Sequence, residues 1–239
     1  MKIDVLYEDE YIICVDKPAG VLTIPDRFDP NIPSIVKLLK SKYETIIPVH
    51  RIDKFTSGVN LLAKDPESHK TLSNAFQNDE VQKFYAAIVD GVPNPDSGRI
   101  EVPISESSVT RGKMLVHPRG KMAITAYKIA QEFGRYSHLY LQIFTGRMHQ
   151  IRVHLQYLGN PLIVDPLYGN RSAFFLSEVK QKRYKTGKYE EEKPLLTRQP
   201  LHAQKMVFPH PVTLEQLSLE APLPKDMRAV LQQLDKWTS

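Results

Sequence analysis

The chain has 239 residues, 41% hydrophobic and 25% charged, enough for a sizeable core in one large domain or two small ones. Its 32 basic against 27 acidic side chains leave a net charge of +5, which permits an anionic partner without demanding one. One cysteine, Cys14, excludes an internal disulfide framework or a cysteine-built metal cluster; no apolar run approaches the ~20 residues that span a bilayer, and no signal-peptide pattern opens the chain, so no membrane is expected and the cytoplasm is the expected compartment.

Taken in order, short β-like runs predict strands over Val5 to Tyr7, Tyr11 to Val15, Val59 to Ala63, Val81 to Val89, Ile124 to Ile129, His138 to Phe144, Lys205 to Phe208 and Gln216 to Leu219. Turn residues such as Gly91-Val92-Pro93 and Pro209-His210-Pro211 separate them. Helical spacing appears over Ser34 to Lys42 and Pro66 to Asn78. A third helix starts near Arg147, with Met148, Ile151, Leu155 and Leu158 as its apolar stripe and Gly159 and Pro161 as its stop; a fourth runs from Pro224 to about Lys236. Strands outnumber helices without regular alternation, which argues for an α+β fold with a largely antiparallel sheet. Residues 171–199 differ in composition: Lys180, Lys182, Arg183, Lys185 and Lys188 precede Glu190, Glu191 and Glu192. This reads as an inserted, part-helical, mobile surface segment, more simply a solvated charged loop than a binding element.

Three segments could carry chemistry. In His50-Arg51-Ile52-Asp53-Lys54-Phe55-Thr56-Ser57-Gly58, a loop feeds a strand and places Asp53 between Arg51 and Lys54, which favours the carboxylate. A carboxylate can act as nucleophile or base, although an Asp beside two cations is more often a surface or structural residue. In the strand from Gln82 to Val89, period two sets Lys83, Tyr85 and Ala87 opposite Phe84, Ala86 and Ile88. Tyr85 could line a cleft and stack on a base, or be a half-buried sheet tyrosine. In Thr145 to Leu155, the side chains of Arg147, His149, Gln150, Arg152 and His154 crowd the start of the third helix, a setting that suits phosphate or carboxylate. A metal reading is poor, since His149 and His154 are five apart and no HExxH pattern exists; GxSxG, GxGxxG and P-loop patterns are absent too. Between them, Arg111 to Lys121 holds four cations including Lys113, Arg119 and Lys121, and no acid, on what its glycines and Pro118 mark as a hairpin or loop beside the sheet. It could contribute several phosphate contacts or be a solvated hairpin.

Together and in this order, these segments resemble the RluA-type family of RNA pseudouridine synthases. Asp16-Lys17-Pro18-Ala19-Gly20-Val21-Leu22 is similar to its opening segment, and His50-Arg51-Ile52-Asp53 with Thr56-Ser57-Gly58 to its signature loop. Lys83 to Gly91 is similar to its central strand; Thr145 to Leu155, Leu158 to Pro161 and Asp165-Pro166-Leu167-Tyr168-Gly169 to its downstream motif; and Leu201-His202-Ala203 and Phe208 to Pro211 to its late segment. Ile52 stands for the usual Leu, a volume-conserving change, and Met148 for the usual Thr or Ser, which removes a hydroxyl.

The resemblance implies a mixed, mostly antiparallel β-sheet in two halves, with peripheral helices and a central RNA-binding cleft, in a single catalytic domain over 1–239 without a separate N-terminal RNA-binding module. It implies that the uracil of one uridine is detached from carbon 1′, turned and rejoined through carbon 5 after base flipping, with no cofactor and no metal. It carries Asp53 onto the essential carboxylate. Tyr85 becomes the residue against the target base, assisting as a general base, Arg152 the partner of the catalytic Asp, and Arg51 the residue filling the gap left by the flipped uridine. Arg147, His149, Gln150, Lys113 and Arg119 are then expected to bind substrate. The expected partner is a stem-loop of ribosomal or transfer RNA rather than DNA, and the expected state a monomer. An RNA-binding module without catalysis would share the charge but would not need Asp53; a glycosidase or nucleoside hydrolase would need a second carboxylate as acid, and no comparable acidic motif is evident.

Overall fold

A computed structural model describes residues 3–180 and 192–238. Along the first part of the chain run β1 (Asp4–Glu8), β2 (Ile12–Lys17), α1 (Ile35–Leu39), β3 (Ile47–Pro48), β4 (Ser57–Ala63), α2 (Pro66–Gln77) and β5 (Gln82–Asp90). Then come β6 (Ser97–Glu106), β7 (Met114–Val116), β8 (Lys121–Phe133), β9 (Tyr136–Ile143), α3 (Gln150–Tyr157), α4 (Leu176–Lys180), β10 (Leu201–Pro209), β11 (Gln216–Glu220) and α5 (Lys225–Thr238). The fold is α+β and mostly antiparallel, as the composition of runs predicts, and β4 pairs with β10 in parallel. The chain forms two compact units, each discontinuous in sequence: residues 1–85 with 202–222, and 86–201 with 223–239. The passage from the first to the second falls inside β5, between Tyr85 and Ala86.

In the first unit, β4 is buried along its whole length because it has partners on both sides: β2 and, at its far end, β3 antiparallel, and β10 parallel. Its two faces feed two cores by strand alternation. Val59 and Leu61 join Ile12, Cys14, Leu72 and Phe208. Leu62 joins Ile13, Val15, Ile35 and Leu39 on the other side. The α2 helix starts where Asp65 accepts hydrogen bonds from the Glu67 and Ser68 amides, with Pro66 at its first position. Cys14 is a buried small hydrophobe.

In the second unit the strand order is β5, β9, β8, β6, β7. A tight turn at Gly134-Arg135 joins β8 to β9, with Phe133 opposite Tyr136. The α5 helix lays Met227, Val230 and Leu234 against Ala86, Ile88, Phe133 and Tyr136. That core also takes Phe174, Val179 and Leu196. The reading of 171–199 as a surface insertion is therefore corrected at both flanks, where apolar residues spaced among charges go inside; Lys182, Arg183, Lys185 and Lys188 lie outside the described residues. Three strands escaped the sequence reading: β3, β6 and β7. The third helix begins at Gln150 rather than Arg147, and Arg147, Met148 and His149 form the turn before it. Among the described residues, no helix is long and apolar enough to cross a membrane.

Candidate active site

Asp53 sits in a tight turn, closed by the Thr56 amide donating to the Asp53 carbonyl at 3.1 Å. The turn is gripped from the Lys17 to Val21 segment. The carbonyl of Lys54 accepts from the Gly20 amide at 2.8 Å and from Lys17 Nζ at 3.2 Å. Lys17 has no solvent exposure and also donates to the Val21 carbonyl at 2.6 Å and the Pro18 carbonyl at 3.3 Å. A buried ammonium spread over backbone carbonyls fixes the loop more firmly than a surface contact would, because losing any partner would leave a charge underhydrated. His50 anchors the other side: its Nε2 accepts the Leu61 amide of β4 at 3.0 Å and its ring stacks on Phe76. Burial, with the Lys83 charge adding to it, pushes His50 down to about 3, so it is a neutral anchor carrying its proton on Nδ1. Arg51, between these anchors, is exposed.

Tyr85, at the end of the first unit's stretch of β5, is 8% exposed and within electrostatic reach of Asp53. Burial first, and then the Asp53 charge, raise its phenol well above the ordinary value. At neutral pH Tyr85 is therefore a neutral phenol. A neutral phenol can donate a hydrogen bond through its O–H. Lys83, two residues earlier, is lowered by burial and lies 5.5 Å from the Phe76 ring centroid.

The residues after Asp53 have structural work. Gly58, at φ 113°, faces β10 so closely that a Cβ there would lie 2.1 Å from the Ala203 carbonyl oxygen. Ser57 Oγ lies 2.9 Å from His202 Nδ1, and His202 Nε2 lies 3.1 Å from the Ala221 carbonyl. Two motifs far apart in sequence thus meet in one parallel pairing that sets where β4, and the loop feeding it, begins.

In the second unit, Arg152 is 4% exposed and grips Asp165 with a two-pronged hydrogen bond, Nε to Oδ2 at 2.7 Å and Nη2 to Oδ1 at 2.9 Å. The guanidinium lies 4.7 Å from the Tyr168 ring centroid. Asp165 was not singled out from sequence; its signal was the Asp165-Pro166-Leu167-Tyr168-Gly169 turn, whose Leu167 and Tyr168 amides donate to Asp165 Oδ1. Gln150 is turned inward: Oε1 accepts from Thr145 Oγ1 and the Arg147 amide, while Nε2 donates to the Ile124 carbonyl and Thr125 Oγ1. The expectation that Gln150 binds substrate is corrected, because it is 3% exposed and its amide is spent on closing the turn before α3. His149 is partly exposed and Arg147 exposed, with Arg147 Nε donating to the Met122 carbonyl. The basic segment crosses from β6 to the edge strand β7 and back to β8; Arg111, Arg119 and Lys121 are exposed, and Lys113 is partly covered, 6.0 Å from the Tyr168 ring centroid. Among the described residues, no three His, Cys, Asp or Glu side chains gather as a metal ion would need.

The α+β fold is that of a class of RNA-modifying isomerase. The chain belongs to the RNA pseudouridylate synthase family, whose family model matches residues 11–157. It is 36% identical over 245 residues to a ribosomal large subunit pseudouridine synthase D of Vibrio parahaemolyticus, covering 99% of this chain and 72% of that protein. To the protein of the same description in Escherichia coli it is 32% identical over 243 residues, covering 96% and 70%. Among solved structures, Human RNA Pseudouridylate Synthase Domain Containing 4 superimposes with a TM-score of 0.76 at 27% identity, covering 97% of this chain and 93% of that one.

Proposed function

We propose that this enzyme isomerises a specific uridine to pseudouridine in a compact stem-loop of ribosomal RNA, with Asp53 as the catalytic carboxylate and no cofactor. The observation that carries the assignment is the Asp53 turn itself: held from Lys17, Gly20 and His50, it brings the carboxylate's charge to bear on the buried Tyr85 phenol. The target base leaves its stack and lies against Tyr85; flipping costs least in or near single-stranded RNA. The bond from carbon 1′ to N1 breaks, the ring turns, a bond from carbon 1′ to carbon 5 forms, and the hydrogen of carbon 5 passes to solvent while N1 gains one, so the product is an isomer. Arg152 is assigned to balancing the catalytic carboxylate on its motif match, and Arg51 to the space the uridine leaves. Arg147, His149, Lys113 and Arg119 are assigned to the RNA backbone, where phosphate contacts supply register and most of the affinity. Ribosomal RNA as substrate is supported by the relatives' descriptions; a monomer in the cytoplasm acting on RNA rather than DNA completes the reading.

The test is tritium release from RNA labelled at carbon 5 of uridine. Wild type releases tritium to water and no free uracil, and Asp53→Asn loses release while keeping RNA affinity within a few-fold. Free uracil would mean a hydrolase, no release from any ribosomal stem-loop would remove the substrate assignment, and more than a few per cent of the wild-type rate in Asp53→Asn would remove the carboxylate assignment.

A further inference from the structure

Strand β5 turns a lysine inward and leaves a phenylalanine half out. Lys83 is 9% exposed while Phe84 beside it is only half-buried, and alternation puts Lys83 on the side of Tyr85, two residues on. A lysine so enclosed is normally paired. Yet its ammonium makes no hydrogen bond or ion pair to any of the described residues. It lies 5.5 Å from the centroid of the Phe76 ring, the ring on which His50 stacks. Asp79, in the corner between α2 and β5, acts on it only through space. The contrast is with Lys17, which shares its charge among the carbonyls of Pro18, Val21 and Lys54. Lys83 has no such set, although its charge reaches His50, the anchor of the Asp53 turn, and it shares a strand face with Tyr85, which feels the Asp53 charge.

We propose that Lys83 binds a backbone phosphate of the RNA beside the flipped uridine, the substrate supplying the partner that the protein withholds. An enclosed ammonium without an acceptor is costly. The Phe76 ring attracts the charge but leaves its three N–H donors unsatisfied. An anion is the acceptor that completes it best, and RNA carries one at every linkage, whereas the oxygens of uracil are neutral carbonyls. Lys83 Nζ is not among the partnerless polar atoms sealed from solvent, so a ligand has access to it. Its place on the Tyr85 face puts the phosphate next to the target nucleotide rather than on a remote part of the stem. This rests on the RNA reading above, which the tritium assay tests by itself.

The experiment compares wild type, Lys83→Met and Lys83→Arg in the full chain, on a stem-loop from which wild type releases tritium. Affinity against salt, single-turnover rate at saturating RNA and the urea unfolding midpoint are read for each. Lys83→Met weakens affinity about tenfold, the share of one charge-assisted hydrogen bond. It lowers the slope of log affinity against log salt by about 0.7, and Lys83→Arg keeps that slope. The rate of Lys83→Met at saturation stays within a few-fold of wild type. Its midpoint holds or rises, because an apolar side chain replaces an ammonium that had no partner. A neutral methylphosphonate, placed in turn at the linkages flanking the uridine, weakens wild type at one position and leaves Lys83→Met unmoved there. A lower midpoint in Lys83→Met would assign the charge to the fold, and a rate collapse with affinity intact would assign it to the base. An unchanged salt slope, or an equal response of both proteins to every methylphosphonate, would show that Lys83 meets no phosphate. Each of these overturns the inference while the tritium result stands; no tritium release from wild type would instead remove the RNA reading and this inference with it.

Discussion

The ammonium of Lys17 reaches across 37 residues of chain to the carbonyl of Lys54, 3.2 Å away, one peptide beyond Asp53. The same carbonyl takes the Gly20 amide, so the backbone next to the proposed catalytic carboxylate is fastened twice from one short segment.

Lys17→Met keeps the bulk of the side chain and removes the charge. It takes the Lys17 donor from the Val21 carbonyl, at about 1–3 kcal/mol for a buried group left unpaired, and leaves the Lys54 carbonyl with the Gly20 amide alone. The expected outcome is a lower unfolding midpoint and a single-turnover rate reduced by about 10²-fold, with RNA affinity changed far less, since a small misplacement of a reacting group is costly. Equal losses in rate and affinity would show that Lys17 does not act through the Asp53 turn.

Gly58→Ala puts a methyl 2.1 Å from the Ala203 carbonyl and asks an L-residue to hold φ 113°. The strand β4 is buried on all sides and cannot step back. Destabilisation of about 3 kcal/mol or more is expected, measured by urea unfolding. A loss under about 1 kcal/mol would mean that the β4–β10 approach is looser than described.

Acid stability follows from buried histidines. Burial pushes His50 to about 3 and both His138 and His154 to about 4. All three stay neutral in the fold where the unfolded chain, near ~6.5, takes up protons. Their contribution is present above about pH 6.5 and is lost as pH falls toward 4, by about 1.4 kcal/mol per group per pH unit. Asp16 acts with the opposite sign. Burial, with Asp4 opposite it, raises it to about 6, so near pH 5 the folded form holds a proton the unfolded form lacks. A net uptake of about two protons on unfolding near pH 5 is expected. It is read from the slope of unfolding free energy against pH; a flat profile between pH 6 and 4.5 would contradict the burial of these rings.

Neutralising Lys113, Arg119 and Lys121 to Ala should weaken stem-loop binding and flatten its salt dependence. The slope of log affinity against log salt should fall by about 0.7 for each single-strand phosphate that the variant no longer neutralises. Parallel lines for wild type and triple variant would return the segment to a solvated crossover.

The strands with clean alternation or continuous apolar runs, β2, β4, β5 and β9, were legible because their side-chain pattern states their environment. The β6 strand was not: Pro103 and the charges Arg99, Glu101 and Glu106 mask it, and only Ile100 and Ile104 go inside. At the proposed site, Asp53 and Tyr85 are legible as residue types in order. What Lys17, Gln150 and His202 do is not, because a buried polar group is defined by its partner, and Ser57 and His202 are 145 residues apart. Residues 171–199 misled for the converse reason: charge dominates the composition while Phe174 and Leu196 carry the packing.

The discontinuity of both units sets an order on their completion. When residue 85 has been made, β4 still lacks its parallel neighbour, which arrives only with His202 and Ala203. The second unit in turn waits for the apolar side of α5, at Met227, Val230 and Leu234. Until His202 and Ala203 arrive, a nascent chain carries the start of β4, at Ser57 and Gly58, with β2 on one edge and no strand on the other, the condition in which partly made proteins stick to one another. The stretch from His202 onward acts as a latch for both halves, so a premature stop there should leave two incomplete bodies rather than one finished unit and a tail.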